Sequence, residues 1–118
     1  MCQGEAQIEI LWADRKLARD CADERSGVRR FGPEQWAVLR RRLGALYGAP
    51  TLADLRGAPG RLHPLTGDRS GQYALDLRGA KRLVFKPGAD PVPEAPGGGT
   101  DETKVTAVVI IEVVDYHD

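Results

Sequence analysis

Cysteine and histidine are scarce in this chain of 118 residues, with two of each. The cysteines are Cys2 and Cys21, and Cys2 stands beside the first residue, so a disulfide framework is excluded and a reducing cytoplasm is the expected setting. So few thiol and imidazole ligands also exclude a structural zinc site. No cluster of Asp and Glu has the spacing of a two-metal centre, so neither a metal nor a cofactor is expected. No stretch approaches the roughly 20 apolar residues of a membrane helix. No apolar run follows a basic start, so no signal peptide is expected.

Net charge is also lacking, at zero overall. Its distribution is uneven. Met1 to Pro87 holds 16 Lys and Arg against 10 Asp and Glu, and Gly88 to Asp118 holds 1 against 7. A basic body with an acidic last quarter points toward a polyanionic partner, or toward ordinary solvated charge.

What is present reads as one domain, residues 1–118, able to bury a modest core. Gln7 to Trp12 alternates, with Ile8, Ile10 and Trp12 on one side, and predicts a first strand. Asp14 caps a short helix carrying Leu17 and Cys21, ending by Ser26-Gly27. Pro33 opens a second helix, with Trp36, Leu39, Leu43 and Leu46 as its buried stripe and Gly48 and Pro50 as its stop. Arg40, Arg41 and Arg42 fan across its outer face, a phosphate-contacting patch or a plain solvated surface. Thr51 caps one further helical turn through Leu55.

The chain is organised around Gly60-Arg61-Leu62-His63-Pro64-Leu65-Thr66-Gly67-Asp68-Arg69-Ser70-Gly71-Gln72-Tyr73. Gly67 and Gly71 bracket a polar turn between two short strands. The second strand runs through Leu77, turns at Arg78-Gly79-Ala80, and a third starts at Lys81-Arg82-Leu83-Val84-Phe85. Together they predict an antiparallel meander. Residues 88–103, dense in Pro and Gly, predict a mobile loop. Val105 to Val114, mostly β-branched, predicts a buried central strand. The expected architecture is α+β: a mainly antiparallel sheet of four to five strands with two helices on one face.

Gly60 to Leu65, Gly67-Asp68-Arg69 and Arg82 before an apolar pair, with Asp115-Tyr116-His117 at the end, resemble the HigB-type killer proteins of the RelE/ParE toxin superfamily. The likeness spans about Ile8 to His117. It implies a RelE-like fold and the toxin of a type II toxin–antitoxin system. The implied activity is ribosome-dependent cleavage of mRNA in the ribosomal A site, which inhibits translation and arrests growth. The implied partners are the 70S ribosome with its A-site mRNA and a HigA-like, helix-turn-helix antitoxin. The residues matching the family's cleavage site are His63, Arg82, Asp115, Tyr116 and His117. Two positions depart from the family: Thr66 stands where a lysine is common, and Lys81 where an aromatic residue often stands. Arg69 and Lys81 are the cations available to replace the missing lysine, and with Arg40, Arg41 and Arg42 they make up the expected RNA contacts.

The chemistry fits the residue types. RNA cleavage without a metal needs a base for the 2′-hydroxyl, an acid for the leaving 5′-oxygen and cations at phosphorus. His63 is the expected base, with Tyr116 able to share that task, and His117, beside Asp115, is the expected acid. Arg82 is expected to stabilise the phosphorane, and to share a face with His63 if neither turn slips by one residue. The alternative is a catalytically silent, ParE-like inhibitor of the same fold that acts by binding a protein.

Overall fold

A computed structural model describes residues 7–89 and 91–115 of the chain. Five strands form one sheet in the order β1-β5-β4-β3-β2. The strands are β1 (Glu9–Trp12), β2 (His63–Pro64), β3 (Tyr73–Asp76), β4 (Lys81–Pro87) and β5 (Ala107–Asp115). Three helices, α1 (Arg15–Asp20), α2 (Glu24–Phe31) and α3 (Pro33–Gly48), lie between β1 and β2 in sequence. The α+β architecture with a mainly antiparallel sheet is as expected. β1 alone runs parallel to its neighbour, pairing Ile10 with Val108 and Trp12 with Ile110 on β5.

The helical segment differs from the reading of two helices. Asp14 caps α1 by accepting from the Lys16 and Leu17 amides, but α1 ends at Asp20. Asp23 then caps a separate helix, α2, by accepting from the Ser26 amide. Gly27 therefore lies inside α2 and does not end a helix. Its missing side chain makes room for Trp36: a Cβ there would come within 2.3 Å of the indole. Gly27 is thus a packing residue, and its breaker propensity is overridden by contact between α2 and α3.

The short strand expected ahead of the Gly67 turn is only two residues, His63–Pro64. Gly60 at φ 107° and Arg61 at φ 49° turn the backbone out of the extended region just before it. β5 begins at Ala107, two residues later than the β-branched run suggests, because the Val105 carbonyl bonds the Leu52 amide instead of a strand. Residues 88–103 have their own hydrogen bonds: the Ala95 amide donates to the Gly99 carbonyl, Glu94 bridges Thr100, and Glu102–Lys104 forms one helical turn.

One face of the sheet meets the helices. Leu75, Leu83, Phe85, Val108 and Ile110 join Ile8, Leu17, Trp36, Leu39 and Leu46 in the main core, all at most 5% exposed. Burial of this apolar surface is the main driving force of the fold. The opposite face carries a smaller cluster of Leu65, Ala74 and Val84 with Ile111 and Val114 against it. A bulge shapes that face: Val84 pairs with Glu112 but Phe85 pairs with Ile110, leaving Ile111 as the extra residue.

Candidate active site

Among the described residues no helix covers the face of Leu65, Ala74 and Val84, and several of the expected residues meet there. Cross-strand register sets His63 beside Ala74, and Ala74 beside Val84. Two residues along, Asp76 pairs with Arg82. Since side chains on one strand repeat every second residue, His63, Asp76 and Arg82 share one side of the sheet. The expected common face of His63 and Arg82 is therefore found, and Asp76 joins them.

Asp76 is the hub. Its Oδ1 lies 2.8 Å from Arg82 Nε and 3.4 Å from His63 Nε2. Its Oδ2 accepts from Arg61 Nε at 2.7 Å. The Arg82 Nε–Asp76 contact is an ion pair by distance, but the buried N–H is not aimed at an acceptor, so attraction of charge and not a directional bond holds it. The Arg82 guanidinium is steadied further by Nη1, which donates to the Lys81 carbonyl at 3.0 Å. Both backbone groups of Asp76 are also fixed. Its amide donates to the Gly60 carbonyl at 2.7 Å, and its carbonyl accepts from Arg42 Nε at 2.9 Å. Burial pushes the Asp76 carboxyl upward, but the Arg61 hydrogen bond and the Arg82 charge outweigh it and hold the group below the usual aspartate range. Asp76 thus stays a carboxylate.

The other expected residues divide. Asp115 pairs in register with Lys81, with Nζ 3.4 Å from Oδ2. These two alternate with Arg82 and Val114 and so stand on the opposite side of the sheet from Arg82. Tyr116 and His117 lie outside the described residues. Arg69 is bound by Glu112 across the small apolar cluster and by Gln72 at 3.0 Å. Arg40 and Arg41 are exposed on α3 as expected. Arg42 is not: it is half-buried and committed to the Asp76 carbonyl, because α3 passes over the Gly60 turn. Two residues escaped the sequence reading, Arg61 and Asp76. The available signal was an acid within a stretch read as strand, where aspartate is disfavoured, in a segment otherwise rich in cations.

A second polar cluster lies at the other end of β3. Glu102 accepts from Arg56 through Nε at 2.8 Å and Nη2 at 2.5 Å, and from the Tyr73 hydroxyl at 3.0 Å. The Arg56 hydrogen bond holds the Glu102 carboxyl below its usual range against the effect of burial. Burial in turn pushes the Tyr73 hydroxyl up. Tyr73 and Glu102 of this cluster line a cleft with Leu65, Gln72 and Thr100, which carries no histidine. Among the described residues, no group of three or more His, Cys, Asp and Glu could hold a metal ion, and no helix is long and apolar enough to cross a membrane.

No protein-family model matches the chain, and no curated protein matches it. Solved structures do. The YoeB/ParE toxin from Agrobacterium tumefaciens superposes with a TM-score of 0.56 at 12% identity, over 93% of this chain and 100% of that one. The YoeB-YefM complex from Staphylococcus aureus gives 0.54 at 12% identity, over 96% of this chain and 100% of the other. Sheet, helices and chain order together give this protein the α+β fold of the YoeB/ParE toxins.

Proposed function

We propose that this chain is the toxin of a type II toxin–antitoxin system, HigB-like in its motifs, and that it cleaves mRNA on the ribosome without a metal. The observation that carries this reading is the meeting of His63, Asp76 and Arg82 on the face of the sheet that no helix covers. A purely structural histidine has no need of an arginine and a carboxylate gathered beside it from two other strands. A shared fold alone would not carry a function.

The reaction proceeds by attack of the 2′-oxygen on the adjacent phosphorus. His63 accepts the 2′-hydroxyl proton as the P–O bond forms. Arg82 stabilises the charge on the phosphorane oxygens. The bond from phosphorus to the 5′-oxygen breaks, and that oxygen takes a proton from His117, leaving a 2′,3′-cyclic phosphate and a 5′-hydroxyl. The substrate's own hydroxyl is held beside phosphorus by the nucleotide, so no activated water is required. A HigA-like antitoxin is the cellular partner, and the cytoplasm the site of action.

Expression without an antitoxin arrests growth and cuts translated messages, and His63→Gln removes the cutting. A message with hydrogen in place of the 2′-hydroxyl at the cut site resists cleavage, and EDTA at constant ribosome integrity has no effect. Cleavage of the 2′-deoxy message at the normal rate, or its loss in EDTA, rejects the mechanism. The second reading, a silent or ParE-like protein-binding inhibitor, draws on Asp76, whose carboxylate already occupies Arg61 and Arg82. Growth arrest with intact messages selects it.

A further inference from the structure

We infer that Asp76 is a positioning residue of this site and that Arg61 is an additional phosphate-binding residue, the carboxylate taking inner nitrogens so that outer ones face RNA. The inference rests on the ribonuclease reading and assigns roles to two residues which that reading leaves without any. Both arginines touch Asp76 through Nε, at 2.7 Å for Arg61 and 2.8 Å for Arg82. Neither Nη of Arg61 has a protein partner among the described residues, and its side chain is 74% exposed. Arg82 likewise keeps Nη2 without one, while Nη1 is anchored on the Lys81 carbonyl. A guanidinium held at the root and open at the tip, as that of Arg61 is, suits the oxygens of a phosphodiester. Two arginines against one carboxylate leave a net positive charge at the hub.

The same carboxylate assigns the working atom of His63. A carboxylate only accepts hydrogen bonds, so Nε2, which faces Asp76 Oδ1 at 3.4 Å, carries the proton in the neutral ring. The lone pair that removes the 2′-hydroxyl proton is then on Nδ1.

Stability gives little reason for the Arg61 arrangement. An ion pair this exposed contributes little to folding. Yet Arg61 holds φ 49°, a left-handed conformation that non-glycine residues adopt at a cost. A strained backbone that presents a weakly stabilising side chain is better explained by what the side chain binds. Its neighbour Gly60, also left-handed, sends its carbonyl to the Asp76 amide, so the strained turn and the hub are one construction.

The test uses the full chain with a short RNA made uncuttable by 2′-deoxy substitution, and single-turnover cleavage of ribosome-bound message. Arg61→Gly removes the fork and the backbone strain together. It should weaken binding of the uncuttable RNA about tenfold, as expected for one charged hydrogen-bonding contact, while the melting temperature does not fall. Asp76→Asn should slow cleavage on the order of 10²-fold and also weaken binding of the uncuttable RNA, and Asp76→Glu should restore part of both. Nitrogen-15 spectra of the imidazoles, assigned with His117→Ala, should show the His63 Nε2 proton protected from exchange in the wild type and unprotected in Asp76→Ala, which has no acceptor. Wild-type RNA affinity in Arg61→Gly overturns the Arg61 assignment. A protonated Nδ1 on neutral His63 overturns the Asp76 assignment. If the uncuttable RNA is bound with the expected Arg61 dependence but no message is cut, the proposed reaction fails while the binding assignment stands.

Discussion

The Tyr73 hydroxyl donates to Glu102 Oε2 over 3.0 Å, tying β3 to the helical turn that leads into β5. Arg56 grips the same carboxylate with two nitrogens. Glu102→Ala removes the acceptor from both donors at once, the Arg56 guanidinium and the Tyr73 hydroxyl. A loss of roughly 1–2 kcal/mol is expected, measured by urea unfolding, with Tyr73→Phe costing less because Arg56 and Glu102 remain paired.

Acid should weaken the fold through the same group and through Asp76. Both carboxyls are held below their unfolded values of 4.5 and 3.8. A depressed folded pKa means that the unfolded chain binds protons first. The stabilisation is therefore complete above the unfolded values and is lost as pH falls through the folded ones. The urea midpoint should stay level from neutrality down to about 5 and then decline. Glu102→Gln should flatten part of that decline.

Gly27→Ala tests how tightly α2 sits on α3. Alanine favours a helix by up to about 1 kcal/mol over glycine. Here its Cβ would come within 2.3 Å of the Trp36 ring, itself 5% exposed. Overpacking of this kind costs about 1–3 kcal/mol and should prevail. Thermal unfolding followed by tryptophan fluorescence should show a lower midpoint, together with altered native emission from the displaced indole.

The Cys21 thiol is pushed up to about 11 by burial, with Arg30 opposing and Asp20 adding to the shift. Because the thiolate is the nucleophile, alkylation by iodoacetamide at pH 8 should be slower than for a free cysteine, and should accelerate toward pH 11. The measurement is made on Cys2→Ser protein by mass spectrometry. A rate equal to that of free cysteine at pH 8 contradicts the burial.

The arginines of α3 should separate in their behaviour. Replacing the exposed Arg40 and Arg41 with glutamate should weaken ribosome association and flatten its dependence on salt, if they meet phosphate. Unchanged ribosome affinity returns them to ordinary solvated surface. Arg42→Glu should instead lower stability, since its guanidinium supports the Asp76 carbonyl.

Much of the fold was legible where local chemistry decides. The stripe of α3, its Pro33 start and the β-branched β5 are each dictated by residues within one element. The parallel pairing of β1 with β5 was not, because nothing in either strand names a partner about 100 residues away. The separation of α1 from α2 was hidden because Gly27 reads as a helix end, whereas its meaning comes from Trp36. The site was legible in the same uneven way. His63 and Arg82 could be placed on one face by alternation alone. Asp76 drew no notice, since its partners come from three segments, Arg42 on α3, Arg61 and His63 at β2 and Arg82 on β4, that only the tertiary fold brings together.

The place of β5 in the sheet also sets a schedule. It lies between β1 and β4, yet it is the last of the five strands to be translated. While the first hundred residues emerge, β1 has no strand beside it and the inner edge of β4 stays open, so the sheet cannot close early. Long-range pairing then completes in one late step, slow by the measure of loop closure. The face that carries His63, Asp76 and Arg82 is finished by Ile111 and Val114 of that strand. That face therefore stays incomplete until the final strand has left the ribosome.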